Sequence, residues 1–166
     1  MLILVALLVF VPLVGEARRA VRNERAQRAR GGVEPQGDVY RAMRVAYPGA
    51  FLAMMAEGVI RGAPRPGVIL AGALLFTAAK ALKWWAIRAL GPAWTFRVIV
   101  VPGAPLVTSG PYRYLRHPNY IAVVAELAGV ALMAGALVAG PIAASGFGLL
   151  MVRRISVEGR ALDRQL

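Results

Sequence analysis

The sequence predicts an all-α integral membrane protein with about five transmembrane helices, the last two forming a helical hairpin. Three observations predict it. The chain of 166 residues is 58% hydrophobic and only 17% charged, whereas a soluble domain is nearer half apolar and a quarter charged. The charges are gathered in blocks between apolar runs. The cations among them alternate sides with the runs, as a multispanning topology requires.

The first apolar run, "MLILVALLVFVPLVG", has no cation before it and its arginines after it. A secretory signal has the opposite polarity, so the run is expected to be an uncleaved helix. Its fifteen residues cover about 22 Å, so the helix is expected to continue past Glu16 or to sit in a thinned bilayer. Further apolar segments run over Val45–Ile60, Val68–Leu90, Tyr120–Val138 and Pro141–Val152, with the hairpin turn expected at Gly140. Several fall short of the roughly 20 residues that a straight span needs.

Orientation follows from Lys and Arg. Arg18, Arg19, Arg22, Arg25, Arg28, Arg30, Arg41 and Arg44 lie between the first two segments. Arg88, Arg97, Arg113 and Arg116 lie between the third and fourth, and Arg153, Arg154, Arg160 and Arg164 follow the fifth. Only Arg61 and Arg65 fall in the second connection. The rule that cations remain inside makes the larger set cytoplasmic and the amino terminus external. The formal charge of +12 therefore points to membrane lipids with anionic headgroups and not to nucleic acid. The segment "RRAVRNERAQRARGGVEPQGD" reads as a short amphipathic helix on those headgroups followed by a turn, or as a solvated linker. The absence of cysteine excludes disulfides, thiolate nucleophiles and Cys-ligated metals, and no metal site is expected. Residues 1–166 read as one membrane domain: three helices with a basic linker over 1–90, then a loop, the hairpin and a terminal segment over 91–166.

The second cytoplasmic loop, Gly91–Asn119, is the candidate functional region. Loops of that length inside a compact domain are usually functional or disordered. Here extended apolar residues alternate with turn formers, which predicts an ordered, non-helical strip. Its end, "GPYRYLRHPNY", carries His117, the chain's one histidine, directly before Pro118. Proline suits the first position of a helix, and the free amides of that first turn suit an anion. The tyrosines beside it also fit an aromatic belt at headgroup level. Among intramembrane ionisable residues stand Glu57, Lys80, Lys83 and Glu126, which mark either a site or internal pairs such as Glu57–Lys80 or Glu126–Lys83. Lys83 also has the length to snorkel. Arg154 and Glu158 are spaced i, i+4, as an exposed helical ion pair would be.

With "LVTSGPYRYLRHPNY" followed by "RRISVEGRAL", the part of the chain from about Leu82 to Leu162 resembles the isoprenylcysteine carboxyl methyltransferase family. "KWWAIRALGPAWTF", "HPNY" and Glu126 look most similar to its bacterial branch that O-methylates alkylpyrones and alkylresorcinols, the products of type III polyketide synthases. The resemblance implies S-adenosyl-L-methionine as cofactor, a lipophilic small-molecule acceptor, an ordered cytoplasmic loop forming the cofactor site, and a place in a bacterial inner (plasma) membrane. It implies that Leu106 and Val107 line the cofactor pocket and Tyr112 touches the cofactor. His117, Pro118, Asn119 and Tyr120 would hold it at the helix start, with Glu158 as the cofactor-binding acid and Arg154 on the acceptor side. Glu126 or His117 would be the base for a weakly acidic hydroxyl. The pattern is broken at Gly159, where the family usually has a second acid, and the sequence stops at Leu166 without the family's aromatic tail. A non-catalytic membrane scaffold and an NADPH-dependent sterol-type reductase, some of which share an "RHPNY"-like stretch, are the competing readings.

Overall fold

Chain segments rich in alanine, leucine and valine, broken by glycine and proline, favour helices wherever burial or lipid satisfies their apolar faces. In a computed structural model five such helices form. They are α1 (Leu2–Ala29), α2 (Tyr40–Arg61), α3 (Pro66–Leu90), α4 (Pro118–Ala134) and α5 (Ala139–Asp163). The structure describes the backbone of residues 1–163 and side chains as far as Ala161. Arg164, counted above with the cytoplasmic cations, lies outside the described residues.

The all-helical expectation holds, with no strand among the described residues. Of the helices, the stretch Pro66–Ala93 is long and apolar enough to cross a membrane by itself, and α4 is a shorter apolar helix. Large apolar side chains nonetheless face outward around the bundle, including Ile3, Leu4 and Val11 on α1, Leu52 and Ile60 on α2, Leu74 on α3, and Ile142 and Leu149 on α5.

Two expectations need correction. The arginine-rich segment is helical but is not a separate headgroup helix. It continues α1 without a break, and its inner stripe of Ala20, Asn23 and Gln27 is buried against the protein. Both amide side chains donate to backbone carbonyls just after α3: Asn23 Nδ2 to Gly91 and Trp94, Gln27 Nε2 to Pro92 and Ala93. The hairpin turn lies at Gly135 and not at Gly140. Gly135 adopts a left-handed conformation (φ 68°) at the end of α4, which an L side chain disfavours. Gly140 belongs to α5, where a Cβ would come within 2.5 Å of the Ala131 Cβ.

α4 is the central helix, touching the other four, and its buried residues cover about half of its circumference. It meets α3 across glycines. A Cβ on Gly72 would lie 2.7 Å from the Gly129 carbonyl oxygen, and one on Gly129 would lie 2.9 Å from that of Gly72. Small residues permit this backbone approach, a recurrent device in membrane bundles. Gly72→Val is expected to lower stability by about 1–3 kcal/mol through overpacking, measured by denaturant titration in micelles. An unchanged midpoint would show that the helices can part without cost.

Glu16, Lys80, Lys83 and Glu126 form one ring of charges inside the bundle. Lys80 Nζ lies 3.1 Å from Glu16 and 3.0 Å from Glu126; Lys83 Nζ lies 2.8 Å from Glu16 and 3.1 Å from Glu126. The Tyr47 hydroxyl donates to Glu126. The Glu126–Lys83 pair is thus present, whereas Glu57 does not pair with Lys80 and is not deeply buried. Glu57 sits near the far end of α2, bonded to Arg61 at 2.5 Å, and accepts hydrogen bonds from the Val138 and Ala139 amides that open α5. Nor does Lys83 snorkel, since its side chain is 3% exposed.

Candidate functional site

The loop after α3 begins with a short 3-10 turn, Gly91–Ala93, and ends with a second, Gly110–Arg113. Between them it is non-helical, as the sequence predicts, with bends at Phe96 and Arg97 and a turn at Pro102 and Gly103. Val100 pairs with Val33 through two backbone hydrogen bonds of 2.9 Å, so the α1–α2 linker holds the strip in place. Arg97 reinforces this with a 2.7 Å bond to Glu34, which also binds Arg28 at 2.6 Å. Burial alone would raise the Glu34 carboxyl, but the hydrogen bonds from Arg97 and Arg28 hold it below the usual carboxylate range. Gly110 permits the second turn to lie against α3, where a Cβ would meet that of Ala89 at 2.8 Å.

Pro118 opens α4 with His117 as the preceding cap residue, as expected. The His117 ring stacks on Tyr120 with centroids 5.2 Å apart and planes 6° from parallel. The Tyr120 hydroxyl donates to Glu158 Oε2 at 2.8 Å and accepts from Arg154 Nε at 3.0 Å. His117 Nδ1 lies 3.9 Å from the same Glu158 oxygen. A histidine and a carboxylate some forty positions apart therefore face one another across one tyrosine.

A cavity of about 220 Å³ opens beside them. Leu106, Val107 and Tyr112 from the loop line it, together with His117, Asn119 and Tyr120 from the start of α4. Arg154 and Glu158 close it from α5. Pro118 is fully buried and supports the helix start from behind. The Tyr112 phenol is pushed up by burial and then by the Glu158 charge, so it remains protonated across physiological pH. A Cβ on Gly159 would meet nothing within 4 Å, so glycine at this position is not there to relieve crowding. Among the described residues no cluster of His, Asp and Glu could hold a metal.

A second cavity of about 290 Å³ lies deeper in the bundle. Its walls are mainly apolar, from Leu13 on α1, Val123 on α4, and Phe147 and Met151 on α5. Tyr47 and Lys83 expose the edge of the charge ring to it, while Glu126 itself is fully buried and lines neither cavity. Trp94, Thr95, Asn119, Tyr120 and Arg154 line both cavities and so mark their junction. Two polar atoms there are buried without a partner, Trp94 Nε1 and Asn119 Oδ1. Such groups are costly to leave unbonded and call for an explanation. Trp94 stands among the motif residues, yet the sequence gives no sign that its ring reaches this wall, and α1 and α2 carry no motif at all.

Comparison with known proteins bears on this arrangement. The family model for the isoprenylcysteine carboxyl methyltransferase (ICMT) family matches residues 71–164. The chain is 29% identical over 161 residues to the uncharacterized protein YpbQ of Bacillus subtilis (strain 168), covering 97% of this chain and 95% of that one. It is 23% identical over 145 residues to an uncharacterized protein of Haemophilus influenzae (strain ATCC 51907 / DSM 11121 / KW20 / Rd), covering 87% and 84%. No solved structure matches. The matched region runs from α3 through the loop to α5 and so contains the histidine, the tyrosine and the carboxylate that meet at the cavity: the chain belongs to the isoprenylcysteine carboxyl methyltransferase family of membrane methyltransferases.

Proposed function

We propose that the protein is an S-adenosyl-L-methionine-dependent O-methyltransferase acting on a long-chained, lipid-like acceptor, with five membrane spans and its loop and carboxyl terminus on the cytoplasmic side. The observation that carries the reading is the meeting of two unlike cavities at Tyr120 and Arg154. One is walled by the loop and mixes apolar side chains with charged ones; the other is almost wholly apolar and set within the helices. The outward apolar faces of the helices and the distribution of arginines support the five-span topology.

The residues around the loop cavity suit the cofactor's chemistry. Aromatic faces of Tyr112, Tyr120 and His117 and the Glu158 carboxylate suit cationic groups, while Arg116 and Arg97 at the same wall suit a carboxylate. Leu106 and Val107 offer an apolar surface to a base, and the unpartnered Asn119 Oδ1 can accept a hydrogen bond. When bound, S-adenosylmethionine supplies an electrophilic methyl group on its sulfonium. The protein's part is alignment in a water-poor site. Tyr120 and Arg154 stand at the border, where Arg154 orients an acceptor oxygen that carries negative charge.

The acceptor's chain occupies the apolar cavity and enters sideways from the bilayer. Glu126 is assigned to holding the charge ring, because Tyr47 and Lys83 stand between it and the cavity. For a weakly acidic hydroxyl, His117 remains the candidate base. Alkylpyrone or alkylresorcinol hydroxyls and an isoprenylcysteine carboxylate are the acceptor classes in question, and a type III polyketide synthase would supply the first two.

The test is transfer of label from methyl-labelled S-adenosylmethionine to a long-chain alkylresorcinol, an alkylpyrone or a farnesylated cysteine, each offered in micelles with purified protein. Label is expected in the organic extract for one acceptor class and is expected to vanish with His117→Ala. Retention of NADPH without methyl transfer would replace the reading with the reductase one. Equal, background-level labelling by both proteins would leave a scaffold.

A further inference from the structure

Asp38 lies in the link between α1 and α2, outside the residues that match the family. Its side chain is only 3% exposed, and a carboxylate is buried at such cost only where partners satisfy it. Oδ1 accepts from the Tyr40 amide at 3.1 Å and Oδ2 from the Val98 amide at 3.0 Å. Arg154 Nη1 lies 3.7 Å from Oδ1. One carboxylate therefore ties the start of α2 and the loop strip to a guanidinium on α5.

Arg154 has a nearer natural partner. Glu158 lies four residues on along the same helix, a spacing at which Arg and Glu ordinarily pair. They are bridged instead through the Tyr120 hydroxyl, which takes one bond from Arg154 and gives one to Glu158. Arg154 also reaches the Met43 sulfur at 3.6 Å, on the side towards α2. Its side chain is 5% exposed and that of Asp38 3%, whereas Glu158 is a third exposed, so water weakens the pull of Glu158 more than that of Asp38.

We propose that Asp38 is a positioning residue that draws the Arg154 guanidinium away from Glu158, leaving the Glu158 carboxylate available to a ligand in the loop cavity. The inference rests on the reading of that cavity as the cofactor site. Without the Asp38 charge, Arg154 swings to Glu158 and closes the mouth of the cavity with an ion pair. Asp38→Asn keeps one accepting oxygen for the two amides, and with it turned to Val98 the loop retains an anchor while the Tyr40 amide loses its partner.

The experiment is calorimetric titration of S-adenosylhomocysteine into the full chain in detergent micelles. Asp38→Asn is expected to weaken binding about tenfold. Adding Arg154→Gln to it is expected to recover about threefold or more of that loss, a rescue that a merely structural role for Asp38 cannot give. Asp38→Asn binding as tightly as the unsubstituted protein, or a double variant as weak as the single one, overturns the proposal. Arg154→Gln alone carries the test should Asp38→Asn not fold. It is expected to bind about tenfold more tightly than Glu158→Gln, and a loss as deep as that of Glu158→Gln rejects the idea. A failure of the unsubstituted protein to bind is a failure of the cofactor reading, and the arrangement is then tested without ligand. In ¹⁵N-arginine-labelled protein the Arg154 Nε–H resonance should shift in Asp38→Asn and return when Glu158→Gln is added. A resonance that Asp38→Asn does not move overturns the proposal.

Discussion

Lys83→Ala is expected to lower the stability of the bundle by about 3–5 kcal/mol, because it leaves a carboxylate buried beside too few cations. Lys83 contacts both Glu16 and Glu126, whose side chains are fully buried. With Lys83 removed, two carboxylates share Lys80, and water cannot reach them readily. The penalty belongs to the broken pairing and not to the loss of an attraction. Lys83→Met combined with Glu126→Gln should therefore recover much of the deficit, since Lys80 and Glu16 remain paired at 3.1 Å and the ring stays neutral. Unfolding titrations of the single and double variants in micelles decide the matter. A double variant less stable than Lys83→Ala would show that the ring acts by some means other than charge balance.

The second large effect is expected at Glu158. Glu158→Gln should weaken binding of S-adenosylmethionine about 100-fold, the scale of losing a charge-assisted contact with a cationic ligand. It should leave the unfolding midpoint nearly unchanged. The side chain is a third exposed at the bundle's rim, so its removal strands no deeply buried charge. Calorimetry beside an unfolding titration separates the two consequences. Wild-type affinity in Glu158→Gln would dismiss this carboxylate as a ligand to the cofactor, and a large loss of stability would make it a structural residue instead. His117→Ala is expected to behave alike but more mildly, since its ring stacks on Tyr120 and stands 3.9 Å from Glu158.

These two predictions draw on different kinds of knowledge. Glu158, His117 and the tyrosine between them are visible in the sequence, because a short motif at a proline-started helix and an acid near the chain's end are local patterns. The structure brings those residues to one cavity but adds the partner that the pattern omits. Asp38 and Gln27 carry no motif, and their places, like the wall that the Trp94 ring reaches, follow only from how α1 and the linker lie against the loop. The charge ring was half legible. Lys80, Lys83 and Glu126 stand out as ionisable residues in apolar helices, but Glu16 reads as the end of the first span. Only the unbroken continuation of α1 puts it at their depth.

Glu57 shows the limit from the other side. Its depth in an apolar segment suggests an internal pair, yet it is the length of α2 and the position of the α4–α5 turn that give it two backbone amides to accept from. The misplaced turn has a similar cause. Gly135 and Gly140 look alike in sequence, and what separates them is that one needs a left-handed backbone while the other needs room beside Ala131.

By itself the sequence determined the helical class, the five apolar segments, the helix start at Pro118 and the motif that carries the family. Each depends on residues near one another in the chain, through periodicity, proline geometry and the sorting of charge. Tertiary structure alone decided which carboxylate each cation meets, which glycine turns the chain, and that two cavities share a wall. Those outcomes depend on the relative depth and rotation of helices, which long-range packing fixes and no local pattern encodes.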